Sequence, residues 1–223
     1  MTGERPPSSP PGRKVGKRGR PSNGEIEIRK HGIIVAARRV FAHKGYVDAT
    51  VQDIAQAAGV GKKTIYQHIG DKAELFRVAY GTSTSKEGPH QFELPRGTSS
   101  ARAALRSLAR QVLEDALHPD NIALERALML ESTRFPELAQ DVIRSAKAQS
   151  RRKLSTALDN MVKRGLLMSA DTTRAATYFF AIVAASDALK AIQGYRDTFP
   201  DDAELDSRVD MFLYGYPGKK RSC

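Results

Sequence analysis

The 223-residue sequence has a single cysteine, Cys223, and no tryptophan. One thiol excludes a disulfide framework within the chain and any cysteine-based zinc site, and it fits a reducing compartment. No apolar run approaches the ~18–20 residues that cross a bilayer. The first residues are rich in proline and basic side chains and lack an apolar core of the secretory kind, so a signal peptide is not expected. Acidic charge is also in short supply, with 25 Asp and Glu against 36 Lys and Arg, a formal net charge of +11. That balance suits a polyanionic partner, either nucleic acid or an anionic membrane surface. Forty per cent of the residues are apolar, enough for a real core. These features predict a soluble, cytoplasmic, basic protein.

The charge is unevenly placed. Residues 1–80 hold 15 Lys and Arg against 7 Asp and Glu, whereas residues 81–223 hold 21 against 18. A basic N-terminal part therefore precedes a nearly balanced remainder, as in a nucleic-acid-binding unit joined to a second unit. Residues 1–22 carry five prolines and six basic residues and read as a disordered arm. Within it, Lys17-Arg18-Gly19-Arg20-Pro21 has the form of an AT-hook core. Arg18 and Arg20 can lie along a narrow minor groove, with a merely electrostatic arm as the alternative.

The rest reads as all-α. Apolar residues at helical spacing run from Ile26 through Phe41, with Gly45 as the stop. Thr50 opens a second helix that Gly59 ends, a third covers roughly Lys62 to Ile69, and Asp71 with Glu74 caps a fourth. Residues 81–98 are rich in Gly, Pro, Ser and Thr and read as a connection. Beyond it the pattern predicts two leucine-rich helices, a long one from Pro136 to about Arg164, one continuous helix over Thr172–Gln193, and a last one from Asp201 to near Tyr216. The expected organisation is an arm (1–22), an N-terminal helical unit (23–80), a helical bundle (99–216) and a basic tail (217–223).

The informative stretch is Val51–Ile69, VQDIAQAAGVGKKTIYQHI. Ala55 is small where two steeply crossing helices would touch. Gly59 suits a turn with positive φ. Ile54, Ala58, Val60 and Ile65 would seal the underside. This is the pattern of a helix-turn-helix whose second helix enters the major groove. An enzymatic reading competes poorly. GVGKKT lacks the first glycine of a phosphate-binding loop (Gln56 stands there), lacks its Ser or Thr (Lys63), and follows a helix instead of a strand. The five histidines show no metal-ligand spacing, so neither a metal nor a cofactor is expected.

The segment GYVDATVQDIAQAAGVGKKTIYQHIGDKAELFRVAY resembles the N-terminal domain of TetR/AcrR transcriptional regulators. The resemblance covers roughly residues 28–80 and rests on Phe41, Gly45, Thr50, Ile54, Ala55, Gly59, Thr64, Ile65, Tyr66, His68, Lys72 and Phe76, among others. Two positions depart from the family: Gly61 stands where Ser is usual and Ile69 where Phe is usual. The resemblance implies that Lys62, Lys63, Thr64 and Gln67 read base edges, and that Thr50, Tyr66, His68 and Lys72 hold phosphates.

The second half more loosely resembles the ligand-binding domain of AefR-like members. That implies an inducer cavity, with Met129, Arg134, Phe135, Met161, Tyr178 and Phe179 as candidate lining residues, or else ordinary core. Ile182, Ala185, Leu189 and Ile192, and then Leu205, Val209 and Phe212, form heptad-like seams. They suit helix–helix association, either between subunits or within one. The family resemblance implies a homodimer on a palindromic double-stranded DNA operator, most simply a nucleoid-associated, ligand-responsive repressor and not a membrane protein. An inducer-free regulator or an activator is the alternative.

Overall fold

A computed structural model describes residues 23–81, 92–168, 171–196 and 198–215. The arm with Arg18 and Arg20, most of the 81–98 connection and the basic tail lie outside these residues. Among those described, ten helices and no strand are present. They are α1 (Asn23–Asp48), α2 (Val51–Ala58), α3 (Lys62–His68), α4 (Lys72–Gly81), α5 (Ala101–Ala116), α6 (Pro119–Glu131), α7 (Pro136–Lys163), α8 (Thr172–Val183), α9 (Ala185–Ile192) and α10 (Asp202–Gly215).

Local signals set most helix ends. Gly45 leaves helical geometry at φ +75° within the last turns of α1. The Asp71 carboxylate accepts from Glu74 N–H at 2.9 Å, Asp171 from Arg174 N–H at 2.9 Å and Asp201 from Glu204 N–H at 2.8 Å. Each satisfies one of the free N–H groups at a helix start. The expected capping box at α4 is only half formed, because the Glu74 carboxylate turns to Arg77 instead.

Two apolar clusters hold the chain together. The first joins Ile33, Ala37 and Phe41 of α1 to Ile54, Ile65, Leu75 and Phe76, and continues into Leu124 and Leu128 of α6 and Ala139 and Val142 of α7. Phe41 and Phe76 meet edge to face at 4.9 Å between ring centroids. The second unites α5, α7, α8 and α10 around Leu105, Leu108, Leu158, Met161, Phe179 and Phe212. On its outer side α5 and α10 are laced by three arginines and three aspartates in antiparallel order. Arg102 meets Asp210 at 2.7 Å, Arg106 meets Asp206 at 2.6 Å, and Arg110 meets Asp202 at 2.7 Å.

The region expected as one helix over Thr172–Gln193 is two. Ala184 leaves helical geometry, and α8 and α9 meet at 52°. Arg208 of α10 donates to the Val183 carbonyl at 2.7 Å and also to the Asp187 carboxylate. A side chain bonded to a main-chain carbonyl in this way interrupts the i→i−4 ladder. No single helix among the described residues is long and apolar enough to cross a membrane; α8 and α9 reach the length only as this bent pair.

The seam of Leu205, Val209 and Phe212 is corrected by the fold. All three are buried within the chain, where Phe212 packs edge to face on Phe179. These three side chains therefore pack within the chain. Ile182 also packs against this cluster, Ala185 and Ile192 are half-buried, and Leu189 is exposed.

Candidate nucleic-acid interface

The interface is built from the turn between α2 and α3. Thr50 accepts from the Asp53 N–H at 3.1 Å, and Asp53 accepts from the Thr50 N–H at 2.9 Å, a reciprocal cap that starts α2. Lys44 of α1 adds an ion pair to Asp53 at 2.9 Å. The Lys44 contact first, and then the two Thr50 bonds, hold the Asp53 carboxyl at about 2. The Thr50 hydroxyl is thus committed to its own helix, donating to Asp53 at 2.8 Å. Gly59 ends α2 at φ +65°, a left-handed conformation that other residues adopt only with strain. Its N–H and that of Val60 return to carbonyls of the last turn of α2.

Helix α3 then begins on Gly61 without a side-chain cap. Of its seven residues only Ile65 is buried, and it lies at the bottom of the first cluster. At about 100° per residue, Lys63 and Gln67 each project about 160° away from Ile65, one to either side of the opposite direction. Both are exposed, as are Lys62 and Tyr66. Tyr66, at 55% exposure, is not a core aromatic. Thr64 and His68 flank Ile65 and are half-buried. The helix carries no acidic residue. Two lysines, a glutamine and a tyrosine therefore stand together on one rigid outward surface, with donors that suit both base edges and phosphates.

Lys72 occupies a different place from its neighbours. Its ammonium donates to the Val47 carbonyl at 2.9 Å and sits 4.7 Å from the Tyr46 ring centroid. It fastens the start of α4 to the end of α1. Tyr46 is a residue the sequence reading missed. Its ring lies 5.0 Å from Phe76 and 5.7 Å from Phe135. Only its place beside the Gly45 break hinted at a packing role.

The six candidate ligand-lining residues are not brought together. Met161 and Phe179 are both fully buried in the second cluster. Phe135 is a strut against Tyr46, between α7 and α1. Met129, Arg134 and Tyr178 are exposed on the surface. Helical spacing identified side chains of the right type but could not show which cluster each would join.

Comparison with known proteins agrees with this geometry. The model of the tetR family of bacterial regulatory proteins matches residues 33–79, and that of the C-terminal domain of AefR-like transcriptional repressors matches residues 103–217. The transcriptional repressor AcnR of Corynebacterium diphtheriae is 40% identical over 55 residues, which is 25% of this chain and 29% of AcnR. Across the first three curated relatives the chain spans between 29% and 51% of their length. Among solved structures, a TetR transcriptional regulator from Agrobacterium tumefaciens has a TM-score of 0.64 at 20% identity, covering 86% of this chain and 96% of that one. The flavonoid-responsive regulator FrrA has a TM-score of 0.54 at 26% identity, covering 83% and 93%.

Proposed function

The chain belongs to the tetR family of bacterial regulatory proteins, with an AefR-like C-terminal domain, and from that premise we propose that it is a sequence-specific DNA-binding transcriptional regulator. The observation that carries this reading is the surface of α3, with Lys63 and Gln67 exposed opposite the single buried residue Ile65. In this reading α3 lies in the major groove. Lys62, Lys63, Thr64 and Gln67 read bases, Tyr66 and His68 hold phosphates, and Arg18 and Arg20 reach the adjoining minor groove. Thr50 and Lys72 contribute by holding α2 and α4 in place, with whatever donor capacity they retain turned to phosphate.

The protein acts as a homodimer on a palindromic operator in the cytoplasm, because two recognition helices then meet half-sites about 34–36 Å apart. With Leu205, Val209 and Phe212 committed to the interior, the partner-facing residues are the exposed Met211 and Tyr214 of α10 and Phe180 of α8. The repressor reading draws on AcnR, and the ligand-responsive reading draws on the flavonoid-responsive FrrA, which supports a small-molecule effector. Such an effector acts only through a difference in affinity between the DNA-competent and incompetent states.

Selection of bound duplexes from a random pool, followed by footprinting, tests this reading. Enrichment of one palindromic site is the expected result. Recovery of no preferred sequence at physiological salt overturns it.

A further inference from the structure

Arg38 lies near the middle of α1 with only 2% of its surface exposed. Burying a guanidinium is costly unless its bonds are well placed. Burial here pushes its pKa down, and the nearby charges of Asp120 and Asp115 oppose that. Its Nη1 donates to the Ala79 carbonyl at 2.5 Å, and its Nη2 donates to the Asn121 side-chain oxygen. Asn121 passes the connection on, donating to the Asp115 carbonyl at the end of α5. The acceptors on Ala79 and Asn121 are both amide oxygens, fixed in direction by the elements that carry them.

Both acceptors sit at helix ends. Ala79 belongs to the last turn of α4, where carbonyls have no partner within the helix. Asn121 belongs to the first turn of α6. One planar fork thus joins α1 and α4, which frame the interface, to α6, which does not touch it. The surrounding contacts of α1 with Leu124 and Leu128 are apolar. Apolar contact is non-directional. A guanidinium with two donors fixed in one plane constrains direction as well as distance. The middle of α6 is also held, because Arg126 donates to the carbonyls of Ala191 and Ile192 at the end of α9, at 2.7 and 2.8 Å.

We propose that Arg38 is a positioning residue that sets the angle of the α1–α4 unit on α6, and so the separation of the two recognition helices in a dimer. The angular role stands on the geometry alone. Its consequence for DNA rests on the function proposed above. Arg38 makes no contact with α3 and reads no base.

The test is an intrachain distance measured by pulsed electron spin resonance. Spin labels are placed on the exposed positions Gln52→Cys of α2 and Ser207→Cys of α10, in full-length protein carrying Cys223→Ser. Labelled chains are diluted with unlabelled ones so that pairs between chains do not contribute. The parent gives one narrow distribution. Arg38→Met and, separately, Asn121→Leu broaden or shift it while far-ultraviolet ellipticity is retained. Arg38→Lys does not restore it, since a single ammonium cannot reproduce the fork. An unchanged distribution in the folded variants overturns the proposal. So does failure of both variants to fold, which would make Arg38 a requirement of folding instead of position.

A second measurement uses the selected operator with half-site separation varied one base pair at a time. The parent shows one optimum. Arg38→Met flattens the profile and leaves affinity for an isolated half-site unchanged. If no operator exists, the distance measurement still decides the angular role.

Discussion

Arg208 donates to the main-chain oxygen of Val183 at 2.7 Å, from 25 residues further along the chain. That oxygen sits where α8 gives way to α9, and the same guanidinium pairs with Asp187, whose side chain is almost fully buried. Arg208 therefore serves the break and the buried carboxylate together.

Removing Arg208 leaves the buried Asp187 carboxylate with only the longer contact to Lys190, at 3.9 Å. Arg208→Met should destabilise the protein by about 3–5 kcal/mol, read from urea midpoints at unchanged m-value. Combining it with Asp187→Leu should recover most of that loss, because two apolar groups then replace the pair. A double variant as unstable as the single one would show that Arg208 acts chiefly through Val183.

Lys63→Ala should weaken operator binding by about 1–3 kcal/mol and relax preference at one base pair, if the side chain makes a bidentate base contact. Titrations against the selected site and its single-base variants check this. Equal weakening on every sequence, with a shallower salt dependence, would assign Lys63 to phosphate instead.

The Asp53 carboxyl should titrate near 2 in the folded protein, well below its ordinary 3.8. Its folded value is depressed, so its contribution to stability is present above pH 3.8 and is lost as pH falls towards 2. Carbon-detected nuclear magnetic resonance of the side chain gives the midpoint directly. Lys44→Ala should raise that midpoint, since the Lys44 contact is the largest cause of the shift.

Gly59→Ala should cost about 1–2 kcal/mol, the penalty of a left-handed conformation for a residue with a Cβ. Nothing lies within 4 Å of the added atom, so the cost is conformational and not steric crowding. Gly59→Asn should be milder, because asparagine tolerates that region better. Thermal unfolding of the three proteins orders them.

These residues also show which parts of the fold could be read in advance. The caps at Thr50, Asp71 and Asp201 and the turn at Gly59 are local, so spacing along the chain carries them. The break at Ala184 has no local sign: there is no proline or glycine, and its partner Arg208 lies on another helix. The seam Leu205–Val209–Phe212 was legible as a buried face, but periodicity says nothing of what covers it. The ladder between α5 and α10 was written as two four-residue repeats, Arg102-Arg106-Arg110 and Asp202-Asp206-Asp210. Pairing them required the antiparallel packing to be known. At the interface, the outward residues of α3 were legible because a single buried position, Ile65, orients all the others. Arg38 and Tyr46 were not, since both act through contacts made far along the chain.

The first apolar cluster draws Leu124, Leu128, Ala139 and Val142 into the same interior as Phe41 and Phe76. A segment cut at residue 80 would leave that interior open on one side, with its aromatic floor facing water. Such a fragment is not an interchangeable cassette. Grafting this reading head onto another regulator would succeed only where the recipient's own helices supply matching aliphatic surface, so the two halves of the chain are constrained to change together.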